Sequence, residues 1–229
     1  MTTLDAALAA LNARADRDRA VQAAAYHKVS RPYLGIAVPQ VTELAKSWRS
    51  GMDPDARAAL AAALWDTDIH EARVAAAKLL VQARIRPDAA VWAEISRWVP
   101  QFDAWAIADH AAEAGSRRLV AEPARLDAVE SWTASPLMWA RRAAFVFTLP
   151  WAKLTHPGAE DLARRDRILG WAATAATERE WFMQKAVAWW LRTLSKHDPA
   201  RVQAFLDGPG TALKPFARRE ASKYLAQNT

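Results

Sequence analysis

Two short stretches of the sequence place tryptophan and charged residues one or two helical turns apart. Trp105 and Asp109 are four residues apart, so on a helix the indole and the carboxylate lie on the same face. Lys185, Trp189 and Arg192 have i, i+4, i+7 spacing and would also share a face. Cations of this kind neutralise phosphates, and indoles can lie against sugars or bases. Because a carboxylate repels a polyanion, Asp109 is a candidate for chemistry and not for binding.

Each of these residues also has a purely structural interpretation. Asp109 could pair with a neighbouring arginine on its own helix. Trp189 could belong to the core with Trp190 facing outward, or the reverse, because the spacing from Phe182 does not separate a core position from a cleft position. Six other tryptophans have no constellation of polar residues that separates them from core positions, so they are assigned to packing: Trp48, Trp65, Trp92, Trp98, Trp132 and Trp171.

The candidate residues fall within a longer repeat. At four of its five positions, an aromatic residue or histidine is followed three residues later by a basic residue and then by alanine-rich sequence. At the remaining position, which begins with Trp105, Ala108 stands in place of the basic residue and Asp109 follows it. The anchors lie at positions 70, 105, 139, 182 and 216, at intervals of 35, 34, 43 and 34 residues, and the basic residues are Arg73, Arg142, Lys185 and Arg219. Such a period is typical of solenoids built from helix pairs, in which the second helices line one surface. The alternative is an irregular α-bundle in which the period is coincidental.

The elements that must position these residues are helices. Alanine, leucine and arginine dominate, there are only 7 glycines, and no stretch alternates in the manner of a strand. The fold class predicted is therefore all-α, a HEAT-like repeat solenoid of antiparallel helix pairs with a concave basic cleft. No long Gly/Ser/Pro linker divides the chain, so we expect a single domain over residues 1–229. The helices are expected at 4–14, 17–28, 39–49, 54–64, 69–84, 88–98, 103–114, 122–133, 137–149, 159–175, 178–196, 199–206 and 211–226.

Charge and composition narrow the class of partner. Residues 1–115 contain 13 basic and 14 acidic residues, whereas residues 116–229 contain 18 and 11, so the second half accounts for the whole excess of +6. A basic half indicates a polyanion such as nucleic acid, or simply a basic surface. There is no cysteine, and no histidine pair has zinc-ligand spacing, so neither disulfides nor a metal site are expected. No secretory signal or membrane span is recognisable, and the default expectation is a cytoplasmic protein.

Five stretches of the sequence, in order and with their separations, carry a family resemblance. They are Tyr33-Leu34-Gly35-Ile36, Trp105-x-x-x-Asp109, Trp139-Ala-Arg-Arg142-Ala-Ala, Gln184-Lys185-Ala186-Val187-Ala188-Trp189-Trp190-Leu191-Arg192 and Arg218-Arg219-Glu220-Ala221. The fourth stretch is the most specific. Together they resemble the DNA alkylation repair family, the AlkD-type HEAT-like-repeat DNA glycosylases, over roughly residues 20–227.

The resemblance implies an activity and a set of site residues. Family members of this type excise cationic N3- and N7-alkylated purines from duplex DNA, without flipping the base into a pocket. The family's catalytic aspartate falls on Asp109 and its two cleft tryptophans on Trp105 and Trp189. Its phosphate-binding arginine falls on Arg142, and a further cleft cation on Arg192. With Lys185 and Arg219 from the repeat, these cations form the expected DNA-binding set; no cofactor is expected, and nothing in the sequence demands a dimer.

The sequence departs from the family pattern at several positions. Ala37 and Ala106 stand where a polar residue and an acid are common, and Asp103 stands nearby. An alternative alignment would therefore match Phe102-Asp103 to the family's Trp-Asp and lose the catalytic acid, although only Trp105 and Asp109 preserve the i, i+4 geometry. Two other functions stay open: a non-catalytic paralogue that binds DNA structures, and a protein-binding HEAT scaffold. The recurrent basic residues of the repeat disfavour the scaffold.

Overall fold

The computed structural model describes residues 2–225, and this part of the chain folds into helices with no β-strand. The all-α class expected from the sequence is therefore confirmed. The described chain divides into two compact units, one ending at Ala121 and the other beginning at Glu122. None of the helices in residues 2–225 is long and apolar enough to cross a bilayer.

The first unit contains two layers of helices. Its helices are α1 (Leu4–Asn12), α2 (Arg17–His27), α3 (Val38–Arg49), α4 (Pro54–Asp66), α5 (His70–Leu80), α6 (Ala89–Trp98) and α7 (Trp105–Ala121), with a 3-10 turn at Val99–Gln101. Helices α3, α5 and α7 pack side by side in one layer, and α1, α4 and α6 form the other. Each of α4 and α6 also packs on the helix that follows it in sequence, so the unit is built from antiparallel pairs.

The second unit follows the same plan. Its helices are α8 (Leu126–Trp132), α9 (Met138–Phe147), α10 (Leu149–Lys153), α11 (Ala159–Ala175), α12 (Trp181–Leu194), α13 (Pro199–Asp207) and α14 (Pro215–Ala221), with 3-10 turns at Pro123–Arg125 and Pro209–Ala212. Helices α9, α12 and α14 lie side by side. We call α3, α5 and α7 in the first unit, and α9, α12 and α14 in the second, the inner helices.

The sequence repeat corresponds to the inner helices. His70 and Trp105 are the first residues of α5 and α7, and Trp139, Phe182 and Phe216 are the second residues of α9, α12 and α14. Each anchor therefore begins an inner helix, and the period measures the distance along the chain from one inner helix to the next. The helix-pair interpretation of the period is the correct one.

Local sequence explains where most helices start. The carboxylates of Asp16, Asp53 and Asp198 accept hydrogen bonds from the backbone N–H three residues ahead, at 3.0, 2.7 and 3.3 Å, and so cap α2, α4 and α13. Pro54 and Pro199 occupy the first helical position, where the missing N–H costs nothing.

Several helix ends differ from those expected. The helix expected at 69–84 stops at Leu80, because the buried guanidinium of Arg118 binds the backbone carbonyls of Gln82, Ala83 and Ile85 and holds residues 81–88 as a loop. The helix expected at 103–114 begins two residues later and runs on to Ala121.

Proline accounts for two further differences in the second unit. The segment expected as one helix at 137–149 ends at Phe147 and is followed by the short α10, which begins just before Pro150. The helix expected at 211–226 is a 3-10 turn followed by α14, because Pro215 starts a new helix; residue 226 lies outside the described residues.

The tryptophans assigned to packing are mostly core residues. Trp65 and Trp98 are fully buried and stack with ring centroids 4.3 Å apart, and Trp48 and Trp171 are 7% and 8% exposed. Trp92 and Trp132 retain partial exposure.

Candidate nucleic-acid interface

Trp105 and Asp109 lie at the start of α7, on the side that faces solvent. Between them Ala106, Ile107 and Ala108 are at most 7% exposed and pack into the first unit. Trp105 and Asp109 are both half-buried. The apolar residues therefore fix the rotation of the helix, and this rotation leaves the indole and the carboxylate accessible one turn apart.

An aromatic cluster surrounds Trp105. The ring of Tyr26 meets the indole edge-on with a centroid distance of 6.0 Å, and the ring of His27 lies 5.7 Å from it. His27 in turn stacks on His70 at 4.6 Å, and His70 stacks on Tyr33 at 4.9 Å. The sequence argument missed Tyr26 and His27. Spacing alone could not identify this pair, because it is the packing of α2 that leaves the helix without a buried residue.

The two stacked histidines are neutral at physiological pH. Burial, together with the nearby His27, Arg31 and His110, lowers the pKa of His70 to about 3. Burial also lowers the pKa of His27. Trp105 therefore rests on an uncharged aromatic surface, and Tyr26 extends that surface into solvent with 69% of its area exposed.

The alternative pair Phe102-Asp103 lies before α7 and has structural contacts. Phe102 is 5% exposed and packs edge-on against Trp65, with a centroid distance of 6.0 Å. The carboxylate of Asp103 accepts a hydrogen bond from the buried side chain of Arg31. These two residues do not share a helical face, whereas Trp105 and Asp109 do.

The first family stretch, residues 33–36, lies in the loop before α3, and the contacts of this loop explain its sequence. The buried carboxylate of Glu71 accepts hydrogen bonds from the N–H groups of Leu34, Gly35 and Ile36 at 2.8, 2.8 and 3.3 Å. Gly35 has a φ of +74°, and a Cβ there would lie 2.1 Å from the carbonyl oxygen of Asp16. This stretch is thus the joint that holds the start of α2, and through it the helix bearing Tyr26.

In the second unit, adjacent tryptophans on α12 have different environments. Trp190 is fully buried, whereas Trp189 is half-buried, so Trp189 is the one that reaches the surface. Lys185, one turn earlier, is partly exposed and its Nζ lies 4.9 Å from the ring centroid of Trp181. Trp181 is itself 50% exposed and was not singled out from the sequence.

The cations expected to bind DNA differ in their solvent exposure and in their contacts with other side chains. Arg142 is only 6% exposed and its guanidinium carbon lies 5.6 Å from the ring centroid of Trp139. Arg192 donates a hydrogen bond to Glu220 at 2.9 Å, and Arg219 is exposed. The repeat contains one more basic residue, Arg73, which lies outside the expected DNA-binding set.

Arg73 is used inside the fold. It is 8% exposed, donates from Nε to the carbonyl oxygen of Trp65 at 3.1 Å, and pairs with Asp68 at 3.1 Å. A basic residue at the repeat position can therefore close a helix–helix joint instead of facing a ligand. Within residues 2–225 no three histidine or carboxylate side chains are grouped so that they could hold a metal ion.

The fold defines a class of helix-pair repeat proteins, and in each unit aromatic and charged side chains reach solvent. The sequence matches the family described as DNA alkylation repair enzymes over residues 7–225, and the chain belongs to that family. Comparison with curated proteins gives no match.

Solved structures show the same fold. A predicted DNA alkylation repair enzyme from Enterococcus faecalis superimposes with a TM-score of 0.78 at 23% identity, covering 93% of this chain and 98% of that one. AlkD2 from Streptococcus mutans gives a TM-score of 0.63 at 18% identity, covering 83% of this chain and 91% of that one. The AlkD-like helical repeat architecture expected from the sequence is thereby confirmed.

Proposed function

We propose that the protein is a DNA glycosylase that removes N3- and N7-alkylated purines from duplex DNA by hydrolysing the N-glycosidic bond. The observation that carries the proposal is that Trp105 and Asp109 share an accessible face of α7 in a member of the DNA alkylation repair enzyme family. Asp103, the competing acid, is held by Arg31 and precedes the helix.

The chemistry suits a single carboxylate. Alkylation at N3 or N7 makes the purine cationic, so the bond between C1′ and the base nitrogen breaks with the electron pair leaving on a neutral base. The sugar becomes an oxocarbenium ion, which the Asp109 carboxylate stabilises. Asp109 also orients the attacking water, whose oxygen bonds to C1′ and whose proton passes through the carboxylate to solvent.

No acid is needed on the leaving-group side, because the departing base already carries the positive charge. Ordinary glycoside hydrolysis uses a second carboxyl group for that protonation. The aromatic faces of Trp105 and Tyr26 favour positive charge on an adjacent deoxyribose, as cation–π contacts do. The family resemblance assigns a similar role to Trp189 of the second unit, and the base is proposed to remain in the helix while it departs.

Binding to the duplex is assigned to the cations of the second half. Lys185 and Arg219 have exposed charge, and Arg192 can exchange its contact with Glu220 for a phosphate. Arg142 contributes through the small part of its surface that reaches solvent. The protein is proposed to act as a monomer and without a cofactor.

The test is release of base from a duplex that carries N7-methylguanine, or N3-methyladenine, at one position. The wild-type protein should release the base, and Asp109→Asn should slow release by at least about 100-fold, because it removes the charge that faces the oxocarbenium ion. Asp103→Asn is the matched control and should retain activity, with its folding checked by thermal melting. Loss of release in Asp103→Asn alone would assign the catalytic acid to Asp103. Wild-type protein that binds the duplex without releasing base would be the non-catalytic paralogue.

A further inference from the structure

Three arginines of the first unit converge on one groove at the C-terminal ends of the inner helices. Arg49 lies in the last turn of α3, Arg84 in the loop after α5, and Arg117 in the last turns of α7. Together with residues 81–83 they line a groove of about 390 Å³. No acidic side chain lines it, although the first half of the chain has no net positive charge.

These arginines are not neutralised by the protein. Within residues 2–225 no carboxylate lies within the 4.0 Å ion-pair distance of Arg49, Arg84 or Arg117. Arg49 donates one hydrogen bond to the carbonyl oxygen of Lys78 at 3.4 Å, and Arg84 and Arg117 are exposed. By contrast, Arg97 and Arg164 are paired with acids.

The groove is held in shape by buried contacts beneath it. The guanidinium of Arg118, which is fully buried, donates to the carbonyl oxygens of Gln82 at 2.7 Å and Ala83 at 2.5 Å, and also to the carboxylate of Asp88 at 3.0 Å. Arg57 donates to the side chain of Gln82 from the other side. The loop that carries Arg84 is therefore fixed before any ligand arrives, which lowers the entropy cost of binding.

The general preference of helix C-termini for basic residues explains only part of the convergence of these three arginines. A basic residue in the last turn interacts favourably with its own helix. Arg84 is in a loop beyond α5, and three cations that repel one another are brought to the same groove with no counter-ion from the protein. An external anion would relieve this repulsion.

We propose that this groove is a second phosphate-binding site, which holds the backbone of the same duplex that presents its base to Trp105 and Asp109. The proposal rests on the proposed binding of DNA. Trp105 and Arg117 are on one helix, and the twelve helical steps from one to the other span about 18 Å, or about five base-pair steps of 3.4 Å. One duplex can therefore reach both ends of α7.

The experiment is salt-dependent binding of a fluorescein-labelled undamaged duplex, measured by anisotropy. The variant Arg84→Ala/Arg117→Ala should bind about tenfold or more weakly at 0.1 M NaCl, and its slope of log K against log[NaCl] should fall by between about 1 and 2. The matched control Arg97→Ala/Arg164→Ala has the same change in net charge and should keep the wild-type slope. Equal losses in both double variants would overturn the proposal, because net charge alone would then explain them.

A second measurement uses the unmutated protein. Phenylglyoxal modification of arginines, located by mass spectrometry, should be suppressed at Arg84 and Arg117 when the duplex is saturating and unchanged at Arg97 and Arg164. Unaltered modification at Arg84 and Arg117 would overturn the proposal. Base release by the wild-type protein is measured separately. Protection of Arg84 and Arg117 without base release would support the phosphate-binding groove and contradict the proposed glycosylase function.

Discussion

Trp189 and Trp190 are adjacent and chemically identical, yet only Trp190 is fully buried. Arg117 and Arg118 show the same division, with Arg118 fully buried and Arg117 exposed. Helical spacing could group Trp189 with Lys185 and Arg192, but it could not say which face the neighbouring helices cover. That information comes from packing between elements far apart in sequence, so residue spacing alone left the assignment of Trp189 and Trp190 open.

His70 makes stability depend on pH in a calculable direction. Its pKa is about 3 in the folded protein and 6.5 when unperturbed. Below pH 6.5 His70 is protonated in the unfolded chain but stays neutral in the folded protein. Stability is therefore lost as the pH falls, and this loss levels off near pH 3. Between pH 7 and pH 5 this residue should cost about 2 kcal/mol of unfolding free energy.

The measurement is urea denaturation at pH 7 and pH 5 for wild type and His70→Phe, which keeps an aromatic ring against His27 and Tyr33. The variant should lose about 2 kcal/mol less than wild type between the two pH values. His156→Phe, at an exposed position, is the control and should follow wild type. The same pH dependence in His70→Phe would contradict a buried neutral histidine.

Among the elements, helix starts were the easiest to predict and helix ends the hardest. Asp53-Pro54 and Asp198-Pro199 mark the starts of α4 and α13, because capping is a local interaction. The end of α5 at Leu80 depends on Arg118, more than thirty residues further along the chain. A long-range contact of this kind leaves no local mark in the sequence.

The joint between α2 and the loop before α3 should be sensitive to a single methyl group. Gly35→Ala would place a Cβ 2.1 Å from the carbonyl oxygen of Asp16 and 2.5 Å from the backbone nitrogen of Ala20, at a φ of +74°. We expect it to lower the free energy of unfolding by at least about 2 kcal/mol.

Gly170→Ala provides the matched comparison, because Gly170 lies inside α11 and a Cβ there meets nothing within 4 Å. That variant should be more stable by about 0.5–1 kcal/mol. Thermal denaturation of both variants is the measurement. A Gly35→Ala protein as stable as wild type would show that the loop and α2 are not in the close contact described.

At the scale of the whole molecule, the distribution of basic residues along the sequence differs from the distribution of accessible positive charge in the folded protein. The sequence located the basic excess in residues 116–229, but Arg142 is nearly buried and Arg192 is paired with Glu220. In the first unit, which the sequence left without net positive charge, the groove at Arg84 and Arg117 is free of acids. The net charge was compatible with a polyanionic partner or with a merely basic surface, and it did not indicate which residues would contact such a partner.

Arg142→Ala tests whether the family's phosphate-binding position is used here. It should weaken binding of an undamaged duplex several-fold and lower the salt slope by about 1, since one phosphate contact is lost. Anisotropy titrations at several NaCl concentrations measure this, with Arg97→Ala as the control for charge and circular dichroism to verify folding. A slope equal to that of wild type would remove Arg142 from the DNA-binding set.

The central claim, that Asp109 is the catalytic carboxylate, is tested most directly by single-turnover release of N7-methylguanine with enzyme in excess over the duplex. Under these conditions binding is saturated, so the rate constant reports only bond cleavage. We predict that Asp109→Asn binds the duplex at least as tightly as wild type and cleaves at least about 100-fold more slowly, with Asp103→Asn close to wild type. A rate constant for Asp109→Asn equal to that of wild type would contradict the claim.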